Sequence, residues 1–249
     1  MHQAAYRALG LDWHYVPFEI EEPALGAALA AIRTLRIRGV GVSMPFKLEV
    51  ARRCDRLDDV ARRIGAVNTL VNDGGALVGH NTDWLGAVRA LEEASTLEGR
   101  RVIVLGAGGA ARAVAFGLLE RNASVVLCNR TEARAARLAE DLGLTTIPWE
   151  RRDDLATFDV VVNASSLGMT TIDAASPLSP RAFREGLVVM DIVYKPVETQ
   201  LVRAARREGA KVIHGARMLL HQAAAQFELY TGRTAPLEAM ASALEAQLG

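Results

Sequence analysis

Residues 101–121 constrain the fold of this chain more than any other stretch. Arg101-Val102-Ile103-Val104-Leu105 is a short apolar run rich in β-branched side chains, and the glycine-rich stretch 106–111 follows it directly. Residues 112–121 have the spacing of a helix. A buried strand, a glycine-rich turn and a helix in this order predict the first half of a β-α-β unit, because such strands are apolar on both faces.

The same alternation of elements continues along the chain to about residue 213. Strand-like and helix-like stretches follow in turn: 125–128, 132–142, 160–162, 187–190, 199–208 and 211–213. Strands that alternate with helices favour a parallel sheet with right-handed crossovers. We therefore predict an α/β fold with a doubly wound, Rossmann-type nucleotide domain at 84–216.

The flanking segments, 1–83 and 217–249, predict a second, smaller and discontinuous α/β domain. The first segment has helix-like stretches at 4–9, 23–35, 46–53 and 58–64, strand-like stretches at 13–18 and 39–43, and a hairpin formed by 67–72 and 77–79. A helix is expected at 83–94. Two tail helices, 218–230 and 236–248, are expected to return to the first segment.

Composition narrows the class of protein. The 249 residues are 50% hydrophobic and carry 29 basic and 29 acidic side chains. The net charge of zero leaves no basic excess that could bind nucleic acid or an anionic membrane by charge alone. Cys54 and Cys128 have no metal or redox spacing, so two reduced thiols are expected. There is no membrane-spanning run and no signal peptide, which predicts a cytoplasmic protein.

The glycine-rich turn fits the dinucleotide fingerprint in its G-x-G-x-x-A form. Gly106 permits the tight turn, Gly108 lets a pyrophosphate approach the backbone, and Ala111 lets helix and strand pack closely. The following helix N-terminus offers unpaired N–H groups to an anion. A glycine-rich structural turn is the alternative interpretation, and the strand and helix on either side favour the nucleotide site.

The end of the second strand of this unit indicates which cofactor binds. NAD sites usually carry an acidic residue there to hold the ribose hydroxyls, whereas this chain has Asn129-Arg130-Thr131. No carboxylate in this run repels a 2′-phosphate, and the planar guanidinium of Arg130 can pair with one. This favours NADP, although Arg130 could also be a solvated loop cation.

Two polar clusters precede the nucleotide unit. One is Ser43-Met44-Pro45-Phe46-Lys47, and the other comprises Asn68-Thr69 and Asn81-Thr82-Asp83. They suit a ligand with several hydroxyls, with Lys47 as proton donor to a carbonyl and Asp83 as its partner. From position alone, a surface lysine, a helix N-cap aspartate and turn-forming Asn-Thr pairs are equally good interpretations.

The ordered motifs resemble the shikimate dehydrogenase family along nearly the whole chain. They comprise His2–Ala5, Gly39-x-x-Val42-Ser43-x-Pro45-x-Lys47, Gly65–Thr69, Gly79-x-Asn81-Thr82-Asp83, Gly106–Ala110, Asn129–Thr131, Asn163–Met169, Asp191–Thr199, Gly215-x-x-Met218-Leu219-x-x-Gln222 and Phe227-x-x-Tyr230-x-Gly232. The resemblance implies NADPH-dependent, reversible reduction of 3-dehydroshikimate to shikimate. It also implies a small-molecule substrate and a monomer or homodimer.

The resemblance also implies roles for particular residues. The catalytic acid/base is Lys47, and Asp83 is its partner. Substrate contacts are Ser43, Asn68, Tyr194 and Gln222. The NADP site is lined by Gly106, Ala107, Gly108, Gly109, Ala110, Asn129, Arg130, Thr131, Arg134, Ile192 and Gly215, with Met218 near the nicotinamide.

The chain departs from the family pattern in three places. It begins inside the family's first helix, so the preceding strand and two carboxylate-binding serines are expected to be absent. A misplaced start, a shortened chain and weak substrate binding all stay open as causes. The usual Asn-Val-Thr is Gly41-Val42-Ser43. The run Ser43–Lys47, together with Pro196–Thr199 and Phe227–Tyr230, resembles a shikimate dehydrogenase-like branch, and Lys195 adds a cation beside Tyr194.

Three functional hypotheses remain at this point. The first is an NADP-dependent dehydrogenase of shikimate or a close relative. The second is a quinate-type dehydrogenase that uses NAD, which Arg130 disfavours. The third is a nucleotide-binding regulator without turnover, which the presence of both Lys47 and Asp83 disfavours.

Overall fold

The computed structural model describes residues 1–169 and 172–248. Thr170, Thr171 and Gly249 belong to the predicted domain ranges and lie outside the described residues. The chain divides into two compact units. Unit 1 comprises Met1–Thr82 together with Gln222–Gln247, and unit 2 comprises Asp83–His221. The role of each unit in binding substrate or nucleotide stays a prediction at this point.

Unit 1 is built around a four-stranded sheet in the order β1-β3-β4-β2. Its strands are β1 (Gly39–Gly41), β2 (Arg56–Leu57), β3 (Thr69–Asp73) and β4 (Ala76–His80), and its helices are α1 (His2–Ala8), α2 (Leu25–Thr34), α3 (Lys47–Arg53), α4 (Asp59–Ile64) and α10 (Leu237–Leu248). The hairpin β3–β4 turns at Gly74 and Gly75, both at positive φ, where glycine has no steric penalty. Helix α9 (Gly215–Thr231) enters unit 1 from Gln222 onward.

The core of unit 1 forms between helices α2, α3 and α4 and the sheet. Leu25, Leu29 and Ile32 recur at helical spacing along α2 and are buried. They belong to one apolar cluster with Val50, Ala61, Val67, Leu70 and Leu77. The helical spacing of residues 23–35 therefore correctly predicted this helix.

Unit 2 is built around a parallel six-stranded sheet in the order β10-β9-β8-β5-β6-β7. Its strands are β5 (Arg101–Leu105), β6 (Ser124–Cys128), β7 (Thr145–Ile147), β8 (Val160–Asn163), β9 (Val188–Asp191) and β10 (Lys211–His214). Its helices include α5 (Asp83–Glu92), α6 (Gly109–Leu119), α7 (Glu132–Leu142) and α8 (Gln200–Arg207). The doubly wound α/β fold predicted from the alternation of elements is confirmed.

Both faces of the unit 2 sheet are buried. Along β5, Val102 and Val104 belong to one apolar cluster, whereas Ile103 and Leu105 belong to another. Side chains alternate between the two faces of a strand, so a strand covered on both sides must be apolar throughout. This explains the uninterrupted apolar run of β5 at residues 102–105.

Three local predictions differ from the structure. The segment 13–18 is in no strand, because the Gln3 side chain bonds the backbone of Trp13 and Tyr15 at 3.2 Å each, where a neighbouring strand would otherwise pair. The strands β2 and β7 were not predicted, since runs of two or three residues carry no periodic signal. Helix α6 begins at Gly109, before the predicted start at 112.

The described residues give findings on the cysteines, on membrane-spanning helices and on groups of metal-ligating side chains. Cys54 and Cys128 are both free, as expected, and burial raises the pKa of the Cys128 thiol to about 11, which keeps it protonated. Within 1–169 and 172–248, no helix is long and apolar enough to cross a bilayer. No group of three or more metal-ligating side chains is found in the same ranges.

Candidate functional site

The glycine-rich turn of unit 2 has the geometry of a phosphate cradle. Gly106 lies at φ +123°, and a Cβ there would stand 2.8 Å from the Ala164 carbonyl oxygen, so only glycine fits. A Cβ at Gly108 would meet no atom within 4 Å, so the backbone is open on that side. Gly109 and Ala110 lie in the first turn of α6, whose N–H groups have no partner within the helix. The turn therefore fits the pyrophosphate of a dinucleotide.

The loop after β6 presents cations at the surface. The Asn129 side chain donates to the Thr131 carbonyl oxygen at 2.8 Å, and α7 begins directly after Thr131. Arg130, Thr131 and Arg134 are exposed. Among the described residues, neither arginine has an ion-pair partner. The guanidinium groups of Arg130 on the loop and of Arg134 in the first turn of α7 can each pair with a phosphate.

A buried polar cluster lies at the ends of β8 and β9. The Asn163 side chain donates to Asp191 Oδ1 at 2.9 Å, and Thr199 Oγ1 donates to Asp191 Oδ2 at 2.7 Å. The backbone N–H of Val193 also donates to Asp191 Oδ1, at 3.1 Å. Burial raises the pKa of the Asp191 carboxyl to about 6, against the lowering effect of these three hydrogen bonds.

The polar cluster around Asp191 holds the backbone next to Ile192 and Tyr194, two of the predicted site residues. Ile192 donates its N–H to the Asn163 carbonyl oxygen at 3.1 Å, next to the bond that Val193 makes to Asp191. Sequence reasoning placed Ile192 at the nucleotide and Tyr194 at the substrate, but it assigned no role to Asn163, Asp191 or Thr199. Polar residues that close two otherwise apolar buried strands were the signal that could have found them.

The start of α9 is packed tightly against the same loop. A Cβ at Gly215 would overlap the Ile192 carbonyl and lie 2.7 Å from the Val193 carbonyl oxygen, so no other residue fits without a backbone shift. Met218, one turn further on, is 6% exposed and belongs to the apolar cluster of Val102 and Val104. Tyr194 is 44% exposed. The pairing of Gly215 with Ile192 joins two residues that the sequence assigned separately to the nucleotide site.

In unit 1, the two predicted substrate motifs are tied together through their backbones. Val42 donates its N–H to the Asn68 carbonyl oxygen at 2.7 Å, and Val67 donates to the Lys47 carbonyl oxygen at 2.9 Å. Lys47 is the first residue of α3 and is half-buried, whereas Ser43 is exposed. The structure therefore brings the Ser43–Lys47 segment and Asn68 to the same edge of the sheet.

The Asn68 side chain lies at the centre of a buried polar group. It donates to Thr82 Oγ1 at 2.9 Å and to Gln222 Oε1 at 3.3 Å, and its own exposed fraction is 2%. Asn81 donates to the Ala66 carbonyl oxygen at 2.9 Å and so holds the loop that follows β4. Asn68 and Gln222 are 154 residues apart in the chain, and the structure brings these two predicted substrate residues into contact.

Asp83 is the first residue of α5 in unit 2 and is 4% exposed. A carboxylate in the first turn of a helix is stabilised by the helix dipole. Asp83 and Lys47 belong to different units, and their catalytic pairing stays a prediction.

The chain matches three models of one protein family. Residues 1–70 match the shikimate dehydrogenase substrate binding domain, residues 89–204 match shikimate / quinate 5-dehydrogenase, and residues 215–245 match the shikimate 5′-dehydrogenase C-terminal domain. These matches follow one another along the chain and leave only short stretches between them.

Individual relatives agree with these matches. The shikimate dehydrogenase (NADP(+)) of Moorella thermoacetica is 44% identical, over all of this chain and 88% of that protein. The crystal structure of shikimate 5-dehydrogenase from Thermus thermophilus, in complex with NADP(H) and shikimate, is 38% identical with a TM-score of 0.90, over 98% of this chain and 92% of that one. Quinate dehydrogenase from Corynebacterium glutamicum, in complex with NAD, is 30% identical with a TM-score of 0.89 over the same shares.

Proposed function

The chain belongs to the shikimate dehydrogenase family, and from this membership we propose that it catalyses the reversible, NADPH-dependent reduction of 3-dehydroshikimate to shikimate. The observation that carries the proposal is the hydrogen bond between Asn68 and Gln222. It joins two amide side chains beside the Lys47 helix, where they can bind the hydroxyls of a polyhydroxylated acid.

Each proposed site residue has a distinct task. When bound, NADPH supplies the hydride that reduces the ring carbonyl carbon. The Lys47 ammonium gives a proton to the carbonyl oxygen as the alcohol forms and takes it back in the reverse reaction. Asp83 orients Lys47 by a charge-assisted hydrogen bond. Ser43, Asn68, Tyr194 and Gln222 bind the substrate and orient its ring.

The proposed cofactor is NADP, in agreement with its relatives, which are named shikimate dehydrogenase (NADP(+)). The Gly106–Ala110 turn holds the pyrophosphate, Arg130 and Arg134 pair with the 2′-phosphate, and Asn129 and Thr131 shape that loop. Ile192, Gly215 and Met218 line the nicotinamide end. The open backbone at Gly108 and the exposed guanidinium groups support this assignment.

A quinate-type dehydrogenase is the second candidate. It is favoured by the similarity to the Corynebacterium glutamicum quinate dehydrogenase, whose structure contains NAD. The loop 129–131 disfavours it, because an NAD site usually has a carboxylate there and this chain has Arg130.

The proposal is tested by cofactor reduction followed by absorbance, with shikimate and with quinate, each in the presence of NADP⁺ and NAD⁺. We expect the highest kcat/KM for shikimate with NADP⁺. Lys47→Met should lower kcat by about 10²–10⁴-fold, the usual contribution of a positioned acid/base. The matched control is Lys211→Met, since Lys211 lies on β10 and donates to the Ala94 carbonyl oxygen.

The outcomes separate the candidates. Turnover of quinate with NAD⁺ in preference to shikimate with NADP⁺ supports the second candidate. No turnover of either acid, with NADPH still bound in a fluorescence titration, contradicts both enzymatic proposals and leaves a nucleotide-binding regulator.

A further inference from the structure

Gln226 is a buried polar residue to which the sequence motifs assign no role. It lies on α9, one helical turn after Gln222, so both side chains lie on the same side of the helix. Only 5% of Gln226 is exposed. A buried carboxamide needs hydrogen-bond partners, and the partners of Gln226 identify what it holds in place.

Gln226 Nε2 contacts the segment that carries Asn68. It donates to the Asn68 carbonyl oxygen at 3.1 Å and to Thr69 Oγ1 at 3.0 Å. The Thr69 hydroxyl accepts from Gln226 and donates its single hydrogen to Asn68 Oδ1 at 2.8 Å. A directed chain of hydrogen bonds therefore runs from Gln226 through Thr69 to the side-chain oxygen of Asn68.

The orientation of the Asn68 carboxamide follows from its partners. The Thr82 backbone N–H lies 2.7 Å from Asn68 Oδ1, and a backbone N–H can only donate. The oxygen must therefore face Thr82 N and Thr69 Oγ1, which lie closer to it than its third neighbour, Thr82 Oγ1 at 3.3 Å. The nitrogen then faces the opposite way, toward Thr82 Oγ1 and Gln222 Oε1.

We propose that Gln226 is a positioning residue for substrate, acting through Thr69 to fix the orientation of the Asn68 carboxamide, with its oxygen toward Thr69 and its nitrogen toward Gln222. The inference rests on the proposed function, in which Asn68 contacts shikimate. Asn68 Nδ2 donates to Thr82 Oγ1 at 2.9 Å and to Gln222 Oε1 at 3.3 Å, so a substrate oxygen that binds Asn68 takes the place of the more distant acceptor, Gln222 Oε1. Gln226 itself does not contact the reacting atoms.

The variants Gln226→Met and Thr69→Val each break this chain at one link. Met keeps the length of Gln without a donor, and Val keeps the shape of Thr without the hydroxyl. We expect the KM for shikimate to rise about tenfold in each, the scale of one lost hydrogen bond to a buried polar group. The KM for NADP⁺ should stay within about twofold of the wild-type value. Thr69→Ser keeps the hydroxyl, so its KM for shikimate should equal that of the wild type.

Tyr230→Phe is the matched control. Tyr230 lies on the same helix, is 3% exposed and has a buried hydroxyl with no hydrogen-bond partner. The substitution Tyr230→Phe removes a buried oxygen from α9 and leaves the hydrogen bonds from Gln226 through Thr69 to Asn68 unchanged. The KM for shikimate should therefore be unchanged in this variant, and thermal unfolding of every variant shows that each one is folded.

A second measurement reports on the Asn68 side chain directly, by NMR, and does not depend on catalytic activity. The ¹⁵N–¹H signals of its carboxamide, identified by their loss in Asn68→Asp, should shift and exchange faster with water in Gln226→Met and Thr69→Val. Unchanged signals and an unchanged KM in both folded variants overturn the inference. If wild-type protein does not turn over shikimate, the proposed function fails, and the carboxamide signals alone then decide whether Gln226 positions Asn68.

Discussion

Asn163 and Asp191 are joined by a buried hydrogen bond of 2.9 Å across the carboxyl ends of two neighbouring parallel strands. Both residues are 0% exposed. The carboxyl ends of the strands form the edge at which open α/β sheets bind their ligands. Asp191 therefore holds the loop that carries Ile192 and Tyr194. The pKa of its own carboxyl is raised.

The Asp191 carboxyl should make unit 2 less stable as pH rises. Burial raises its pKa from 3.8 to about 6, so the folded state binds the proton more tightly than the unfolded state. The contribution to stability is full below about pH 4 and is lost as pH rises through 6, by about 3 kcal/mol in all.

Asp191→Asn tests this pH dependence. The amide keeps an oxygen for Val193 N–H and Asn163, and it does not titrate, so urea midpoints between pH 4 and 7 should vary less than in the wild type. Asp154→Asn is the control, since Asp154 is exposed and pairs only with Arg151 at the surface. An equal pH slope in Asp191→Asn and wild type contradicts the assignment.

His2 should have the opposite effect in unit 1. Burial lowers its pKa from 6.5 to about 4, so the unfolded state takes up the proton first as the pH falls. The stability present above about pH 6.5 is lost as the pH falls toward 4, by roughly 3 kcal/mol. The His2 ring stacks on Tyr15 at 4.5 Å between centroids, and its Nδ1 is buried without a partner.

His2→Phe keeps an aromatic ring at this position and removes the titrating group. Urea unfolding followed by near-ultraviolet circular dichroism should then show a smaller loss of stability between pH 6.5 and 4. His14→Phe should leave the loss unchanged, because His14 is exposed to solvent. If both variants behave alike, burial of His2 is not the cause.

Gly215→Ala should weaken both folding and cofactor binding. The added methyl group would overlap the Ile192 carbonyl, and the backbone shift should cost roughly 1–3 kcal/mol. Gly26→Ala is a control of opposite sign: Gly26 lies in helix α2, its added Cβ would have only Arg53 Nη1 within 4 Å, at 3.8 Å, and alanine there should stabilise by about 1 kcal/mol. Thermal midpoints and the KM for NADP⁺ measure the two effects.

Arg130→Gln should change the choice of cofactor. Loss of the guanidinium removes one charge-assisted bond to the proposed 2′-phosphate, so the KM for NADP⁺ should rise about tenfold while that for NAD⁺ stays constant. Arg137→Gln, an exposed arginine on α7, is the control. An equal effect of Arg130→Gln on both cofactors would place Arg130 outside the phosphate site.

Local sequence signals were sufficient for most elements and for the type of fold. The β-branched run of β5, the glycines after it and the helical spacing of α6 are each determined by neighbouring residues, so the strand–turn–helix unit could be predicted without knowing the rest of the structure. The same reasoning failed at residues 13–18, where Trp13 and Tyr15 bond the Gln3 side chain through their backbones. It also failed at β2 and β7, which are too short to show a period.

The sequence by itself determined the β-α-β alternation, the glycines required by backbone geometry and the residue types available at each strand end. Only the tertiary structure decided that Gln222 and Gln226 reach Asn68 from more than 150 residues away, and that Asp191 is buried deeply enough to raise its pKa. Propensity and periodicity act between near neighbours in the chain. Contact and burial depend on how distant segments pack, so the hydrogen-bond direction at Asn68 exists only in the folded chain.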